Sequence, residues 1–313
     1  MNAPVVLFVY NRPLHTEKTL EALMQNDLAD KSDLFIFCDG IKENATKEQI
    51  EEVEQVKKNI RKKKWCKTVT IVERSQNLGL AKSVISGVSE ILNKYKKIIV
   101  LEDDIVTNKN FLRFMNFGLE SYKENKSVYG ISGYCFPYSG KIKDDTFFLP
   151  IMSSWGYSTW LDRWDKIEFN GQLLLEIVNS KSLSKKINFG KLNFYNMLRD
   201  QVCGNNNSWA IRFYVTMYLN NGYFLYPKYS LLKNIGFDGT GVNCHSDPED
   251  NSSKSYKEYI EFSFQKVEIK LKRKIVNKFK NEGKSFKKGF YKSIKITLKR
   301  IFPYSFIYFF KRK

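Results

Sequence analysis

The sequence is short of most features by which a function announces itself. Its five cysteines, Cys38, Cys66, Cys135, Cys203 and Cys244, are odd in number and scattered, with no CxxC pair. That argues against a disulfide framework or a structural zinc site and fits a reducing compartment. No basic n-region precedes the short apolar run of MNAPVVLFVYNRP and no small-residue cleavage site follows it, so no secretory signal is expected. The longest aromatic-aliphatic run near the end, FPYSFIYFF, has nine residues, and a helix needs about 20 to cross a bilayer. A GxxxxGK[ST] loop and a GxGxxG fingerprint are missing, which weakens ATPase and dehydrogenase readings. There is no internal repeat.

Acidic residues are also scarce, 33 against 52 Lys and Arg, for a formal charge of +19. A charge of this size suggests nucleic acid or a membrane surface, but its location decides between them. From Lys266 to Lys313, 17 basic residues face only Glu268 and Glu282, so this tail carries +15 and the first 265 residues only +4. No zinc finger, RRM signature or recognisable helix-turn-helix accompanies the basic stretch, so nucleic acid is not the expected partner. The tail mixes Lys and Arg with Ile, Leu, Phe and Tyr. Two amphipathic helices broken around Gly283 would place apolar faces in a lipid interface and ammonium groups against anionic headgroups. The plain structural alternatives are a helix packed on the body and a partner-binding helix.

The first half alternates strand-length apolar runs with helical stretches. PVVLFVY (4 to 10), DLFIFC (33 to 38), KTVTIVE (67 to 73) and KIIVL (97 to 101) are rich in Val, Ile and Phe. After Gly79, the residues Ala81, Val84, Ile85, Val88, Ile91 and Leu92 fall at helical spacing. The alternation predicts an α/β fold, a mostly parallel sheet flanked by helices, whose ligands lie outside the carboxyl ends of the strands. From about 127 to 235 the pattern turns mixed: SVYGISGY, TFFLPIM and GYFLYP read as strands, WGYSTWLDRW and WAIRFYVTMYLNNG as helices. The Gly-, Asn-, Asp- and Ser-rich stretch 234–255 reads as a mobile loop.

The strand ends are unusually polar. Asn11 and Arg12 close the first, Asp39 and Gly40 the second, and RSQNLGLAKS supplies Arg74, Asn77, Gly79 and Lys82 after the third. Glu102, Asp103 and Asp104 follow the fourth. Acidic residues can simply favour the start of a following helix, with Thr107 or Asn108 as its cap. Three adjacent carboxylates behind a buried strand repel one another, however, and a divalent cation with hard oxygen ligands, Mg or Mn, would relieve the repulsion. Asp39 is either a turn residue or an acceptor for the N3 proton of a uracil. Arg12 can pair with a phosphate or stack on a base, while Pro13 also suits a helix start.

Taken in order, LFVYNRP, IFCDG, NLGLAKSVISGV, VLEDDIVTNKNFLRFMN, SVYGISGY, SSWGYSTWLDRWDKI, NNSWAIRFYVTMYLNNGYFLYP and NIGF resemble bacterial polysaccharide glycosyltransferases of the GT-A type, family 2-like. They are also similar to the animal GlcNAc-transferase that initiates complex N-glycans. The resemblance runs over roughly residues 4 to 245. It implies a GT-A, Rossmann-like fold and an inverting, metal-dependent enzyme that moves a sugar from a nucleotide donor, most often a UDP-sugar. By position it makes Arg12 and Asp39 nucleotide-holding residues, with Asp39 at the base, and Asp104 the direct metal ligand. Asp103 would serve the ribose and the metal's water shell, and Glu102 the donor-sugar hydroxyls. Arg74, Asn77 and Lys82 would lie on the donor side. Trp155 and Gly156 would wall the sugar pocket, whereas Trp160 and Trp164 read as core. His245, in the FDGTGVNCHSD loop, would sit near the diphosphate or simply on the surface.

One position departs from the family pattern. Where the residue after SW is the expected catalytic Asp, this chain has Ala210, and a methyl group cannot accept a proton. The otherwise intact NNSWAIRF favours an inactivated variant. The departure also fits a natural chain using another base, with Asp200, Asp238 or Asp247 as fallback, and a chain that binds without turnover.

The expected organisation is a GT-A domain over 1–265, with a nucleotide-binding half (1–126) and an acceptor half (127–265), and a basic membrane-association tail over 266–313. The expected acceptor is a lipid-linked glycan or polysaccharide at the inner face of a bacterial cytoplasmic membrane. A sugar-nucleotide nucleotidyltransferase and a non-catalytic sugar- or membrane-binding adaptor are the alternatives. The former should show a Gly-rich basic loop after the first strand, which YNRPLHTEK is not.

Overall fold

The computed structural model describes residues 1–138, 140–238, 252–258 and 265–282. Cys244, His245, Asp247 and the tail beyond 282 lie outside the described residues. The first half runs β1 (Val5–Val9), α1 (Pro13–Met24), β2 (Asp33–Cys38), α2 (Lys47–Arg61), β3 (Thr68–Glu73), α3 (Leu80–Tyr95) and β4 (Lys97–Glu102). There follow β5 (Ile105–Thr107), α4 (Phe111–Ser121), β6 (Val128–Ser132), β7 (Thr146–Leu149), β8 (Tyr157–Trp160) and the one-turn α5 (Leu161–Trp164). The described chain is completed by α6 (Gly171–Ser180), α7 (Phe194–Val202), α8 (Trp209–Leu219), β9 (Tyr223–Pro227), β10 (Leu232–Asn234) and α9 (Arg273–Glu282).

Eight strands form one sheet in the order β3-β2-β1-β4-β8-β6-β9-β7, and β10 pairs with β5 in a separate two-stranded ribbon. The pairings β1–β2, β2–β3, β1–β4 and β6–β9 are parallel, while β8 is antiparallel to β4 and β6, and β7 to β9. Six strands therefore point one way and β7 and β8 the other, giving a mixed sheet flanked by helices. Strands β1, β2 and β4 are apolar on both faces because both are covered. Val6, Phe8, Phe37 and Val100 meet α3 on one side, and Val5, Leu7, Ile36 and Leu101 belong to the core of α1 and α4 on the other. From β1 the chain moves outward to β2 and β3, then returns to the opposite side of β1 as β4. The reversal between β1 and β4 is the topological switch point at which such sheets open a crevice.

Two local expectations give way. WGYSTWLDRW is not one helix: Tyr157–Trp160 is a strand and only Leu161–Trp164 is helical. Its partners are distant, with Val100 opposite Tyr157 and Ile131 opposite Ser158, so the pairing is invisible locally. Nor do Thr107 and Asn108 cap a helix. Ile105–Thr107 is β5, α4 begins at Phe111 with Asn110 as its cap, and Asn108 Oδ1 accepts the Asn110 N–H.

Arg163 in α5 is 1% exposed. Its Nε donates to the Val128 carbonyl, Nη2 to those of Tyr122, Lys123 and Asn125, and Nη1 to Asp162 Oδ1. The guanidinium carbon lies 4.2 Å from the Trp160 ring centre. One side chain thus ties α4, β6 and β8 together.

The described part of the basic tail lies against the body. Val267 exchanges hydrogen bonds with the Tyr122 hydroxyl, Lys272 pairs with Asp144 at 2.6 Å, and Ile275 and Phe279 are buried. Phe279 packs on Tyr138 and Phe147. The apolar side of α9 is therefore occupied by protein, so the expectation that this first helix inserts into lipid is replaced by the alternative of a helix packed on the body.

Cys38, Cys66 and Cys135 are buried and Cys203 is exposed. Burial pushes the Cys38 thiol up to about 11 and Cys66 to about 12, with Cys135 higher still. A thiol reacts as its thiolate. Iodoacetamide at pH 8 followed by peptide mapping is therefore expected to alkylate Cys203 in the native protein while sparing Cys38, Cys66 and Cys135. Equal labelling of all four would contradict the packing of both core faces.

Candidate active site

Glu102 closes β4 beside Phe8 of β1, and Asp103 and Asp104 follow at the switch point. Their backbone is held from two sides. The Thr19 hydroxyl donates to the Asp103 carbonyl at 2.7 Å, and the Ile235 N–H donates to the Asp104 carbonyl at 2.9 Å. Arg12, just ahead of α1, bridges both carboxylates: Nη1 lies 3.1 Å from Asp103 Oδ1 and 2.8 Å from Asp104 Oδ2. Burial opposes the Arg12 charge, but Asp103, Asp104 and Asp238 outweigh it and hold the guanidinium above its ordinary range. On the acidic side, burial first and then Asp104 and Asp103 push Glu102 up to about 8. Burial and Asp104 push Asp103 to about 7 against the pull of Arg12. One guanidinium serves three carboxyls, so the site holds more acid than its own counter-charge can keep ionised.

Among the described residues no group of three or more His, Cys, Asp and Glu side chains is arranged to hold a metal ion. The hard oxygens of Asp103 and Asp104, already spanned by Arg12, do not form a resident cage. As a donor set they fit a Mg or Mn ion that arrives with most of its shell supplied by a diphosphate.

Asp39 is 6% exposed and acts as a tie. Its Oδ1 accepts the N–H groups of Gly40 and Leu78, and its Oδ2 that of Gly79 at 3.0 Å. Asn77 Nδ2 donates to the Gly40 carbonyl at 2.7 Å. Together they clamp the β2–α2 loop to the turn entering α3. A side chain at Gly40 would collide with the Gln76 backbone. Two acceptances fill Oδ1, whereas Oδ2 keeps capacity for one more donor.

The other expected positions divide. Arg74 lies over the Phe37 ring and reaches Ser86 and Glu90 along α3, and Lys82 is exposed in the first turn of α3. Asn11 bonds Glu52 of α2. None of these three makes a contact to the carboxylates. Trp155 stands edge-on to Tyr134, with ring centres 4.6 Å apart, and to Phe237 at 5.6 Å. Gly156, at φ +55°, leaves no room for a Cβ, which would collide with Leu232 and crowd Phe111. Trp160 and Trp164 are core, as expected.

Ala210 is the second residue of α8, partly buried, after the Ser208 cap that accepts the Ile211 N–H. Trp209 packs on Tyr157 with ring centres 5.4 Å apart. Tyr157 opposes Val100 on the face that also carries Glu102, and Glu102 adds to burial in raising its phenol. The start of α8 is thereby placed on the Glu102 side of the crevice. Of the fallback bases, Asp238 lies 3.0 Å from His15 Nε2 at the Arg12 side. Asp200, in α7, takes the Asn205 and Asn206 N–H groups on its backbone carbonyl.

Several contributors were not legible in the sequence. A Cβ on Gly236 would collide with Asp104 Oδ2 and stand 2.7 Å from Arg12 Nη2, so that glycine lets the chain pass directly over the carboxylates. Asn234 Oδ1 accepts the Gly236 N–H at 2.7 Å, and His15, one turn after Arg12, meets both Asp238 and the Ile235 carbonyl. The NIGF string was the only local signal for this wall.

No family model matches the chain, and no curated protein matches it in sequence. Among solved structures it is similar to S. aureus TarS 1–349 (13% identity, TM-score 0.36), the match covering 72% of this chain and 58% of that one. It is similar also to a UDP-glucose pyrophosphorylase complexed with UDP-glucose (11%, TM-score 0.37, 72% of this chain and 90% of that one). A third is M. tuberculosis glucosyl-3-phosphoglycerate synthase in complex with Mn2+, UDP and glucosyl-3-phosphoglycerate (12%, TM-score 0.33, 57% and 66%). These likenesses are distant, and the chain spans little more than half of TarS 1–349 and 35% of the longer TarS chain.

Proposed function

We propose that the protein is built as an inverting, metal-dependent glycosyltransferase that takes a nucleotide sugar, with UDP as carrier, and a lipid-linked or polysaccharide acceptor. The observation that carries this reading is the placement of Glu102, Asp103 and Asp104 at the β1/β4 switch point, with Arg12 as their shared counter-charge. A site with more carboxyls than counter-charge, hard oxygens and, among the described residues, no protein cage suits a cation–diphosphate pair.

In this reading Asp39 Oδ2 accepts the uracil N3–H, and Arg12 turns from its carboxylates to a phosphate. Asp103 and Asp104 hold the cation, Asp103 also serving the ribose. Glu102 meets sugar hydroxyls and the Trp155 face packs on the pyranose. A divalent ion bound with the diphosphate would stabilise the negative charge that collects there as the sugar departs. In the displacement, the acceptor oxygen bonds to the anomeric carbon as the bond to the diphosphate oxygen breaks with its electron pair. The hydroxyl proton must go to a base, and the Ala210 methyl cannot take it.

That methyl favours one second reading, a chain that binds donor without turning it over. The nucleotidyltransferase reading gains nothing, since only three residues separate β1 from the Pro13 start of α1, no room for a Gly-rich phosphate loop. No helix among the described residues is long and apolar enough to cross a membrane. We place the protein peripherally at the inner face of the bacterial cytoplasmic membrane, with anionic lipid meeting residues 266–313.

Calorimetry with UDP, with and without Mn2+, and sugar-transfer assays on the chain and its Ala210→Asp variant test the reading. The expected result is metal-dependent UDP binding by both and transfer by the variant alone. Equal turnover in the two would remove position 210 from the chemistry, and no metal-dependent UDP binding by either would sink the enzyme readings.

A further inference from the structure

The positive charge of the described chain is not confined to the tail. Four stretches far apart in sequence, 140–145, 228–233, 254–258 and 265–282, hold 13 basic and five acidic residues. They are joined by contacts. Lys272 pairs with Asp144, Lys228 with Asp145, and a Cβ on Gly140 would stand 2.6 Å from Lys278 Nζ. Lys228 and Lys257 both lie over the Tyr229 ring, 5.6 and 5.5 Å from its centre. Asp144 and Asp145 are thus engaged by lysines of the same face, while Lys141, Lys143, Lys254 and Lys257 are exposed.

We propose that this folded face, at the β7 edge of the sheet, is a docking surface for an anionic lipid bilayer, in which the body takes part as well as the tail. It deepens the membrane-acceptor reading above and rests on it. Three observations choose a bilayer. First, the apolar residues of α9 are turned into the protein, so what α9 offers outward is charge, suited to headgroups without insertion. Second, the sequence that continues from Glu282 has ten basic residues, no acidic ones and nine aromatics, a composition for a headgroup interface, where aromatic rings concentrate; a polyanion would ask only for the charge. Third, β10 leads from this face to the crevice: Ser230 is bonded to Ser255, and six residues later Gly236 covers Asp104. At about 3.3 Å per residue at most, the carboxylates lie no more than roughly 20 Å from Ser230 on the charged face, within reach of an acceptor anchored in the same bilayer.

The test is sedimentation of the full chain with phosphatidylglycerol–phosphatidylcholine vesicles at several salt concentrations. The test variant carries Lys141→Gln, Lys143→Gln, Lys254→Gln and Lys257→Gln, all outside the tail. A control of equal charge carries Lys18→Gln, Lys58→Gln, Lys64→Gln and Lys67→Gln, exposed positions on the β3 side. The expected result is at least a tenfold weaker partition coefficient for the first variant, with a shallower salt dependence, and less than a threefold change for the control. Circular dichroism melting confirms that each is folded. Equal binding by the first variant and the unsubstituted chain overturns the proposal, and so does an equal loss in the control. Binding of the full chain to soluble polyphosphate as tight as to vesicles of equal phosphate concentration would overturn the bilayer as partner. UDP binding, measured separately, distinguishes failure of this surface from failure of the glycosyltransferase reading.

Discussion

Arg12→Met is expected to cost the folded protein about 3–5 kcal/mol at pH 8, the range found when one partner of a buried ion pair is removed, and to lose part of this penalty by pH 5. An unfolded Asp or Glu titrates near 4. In the fold, burial and mutual repulsion raise Glu102 to about 8 and Asp103 to about 7. Between those values and 4 the folded state keeps protons that the unfolded chain has released, so the carboxyls favour folding at the acid end and that contribution is lost as pH rises through 7 and 8. Arg12 favours their ionised forms, so its removal is felt most where they must be charged. Urea titrations of wild type and variant at pH 5, 6, 7 and 8 measure the difference. A penalty that does not change with pH would mean that Arg12 acts by packing alone. Adding Asp104→Asn should recover part of the loss at pH 8, since it removes one of the charges Arg12 was matching.

Arg163→Met is expected to be comparably damaging and not to depend on pH in this way. The substitution fills similar volume but strips the four main-chain carbonyls of Tyr122, Lys123, Asn125 and Val128 of a charged donor. Two of these carbonyls, those of Tyr122 and Val128, are buried, and leaving a buried acceptor unmade costs about 1–3 kcal/mol each, so a loss of about 2–6 kcal/mol is expected, a large part of the 5–15 kcal/mol typical of a whole domain. Arg163→Lys keeps the charge but not the fork and should fall between. Asp162→Asn should cost under about 1 kcal/mol, because Asp162 is 45% exposed on its side chain. A change of less than 1 kcal/mol in the midpoint-derived stability of Arg163→Met would show that those carbonyls find other partners.

Much of the first half of the chain was legible because its signals are local. Continuous apolar runs specify strands buried on both faces, and β2 spans the DLFIFC stretch residue for residue. The stripe after Gly79 is α3, with Ala81, Val84, Val88, Ile91 and Leu92 buried. The polar strand ends followed once the sheet was inferred, whereas the pairing of Arg12 with Asp103 and Asp104 was not among the expectations. What failed depended on partners far along the chain. YSTW carries no strand signal apart from β4 and β6, and three-residue β5 exists because β10 pairs with it. Asp39 as a clamp was hidden for the same reason, as the N–H groups of Leu78 and Gly79 are about 40 residues away. Gly236 was unreadable because its need to be glycine comes from Asp104, not from its own φ.

The β5–β10 ribbon also sets an order of events. Asn234 pairs with Ile105 across about 130 residues of chain, so the loop that must close before Gly236 reaches Asp104 is among the longest in the fold. Loop closure of that span is unfavourable until the intervening sheet has formed. On a ribosome, β1 to β4 emerge early with their three carboxyls exposed to water. The stretch of chain that passes over Asp104 at Gly236 arrives only with the last described strand. The wall over Asp104 is therefore expected to close late in folding, after β1 to β4 have paired.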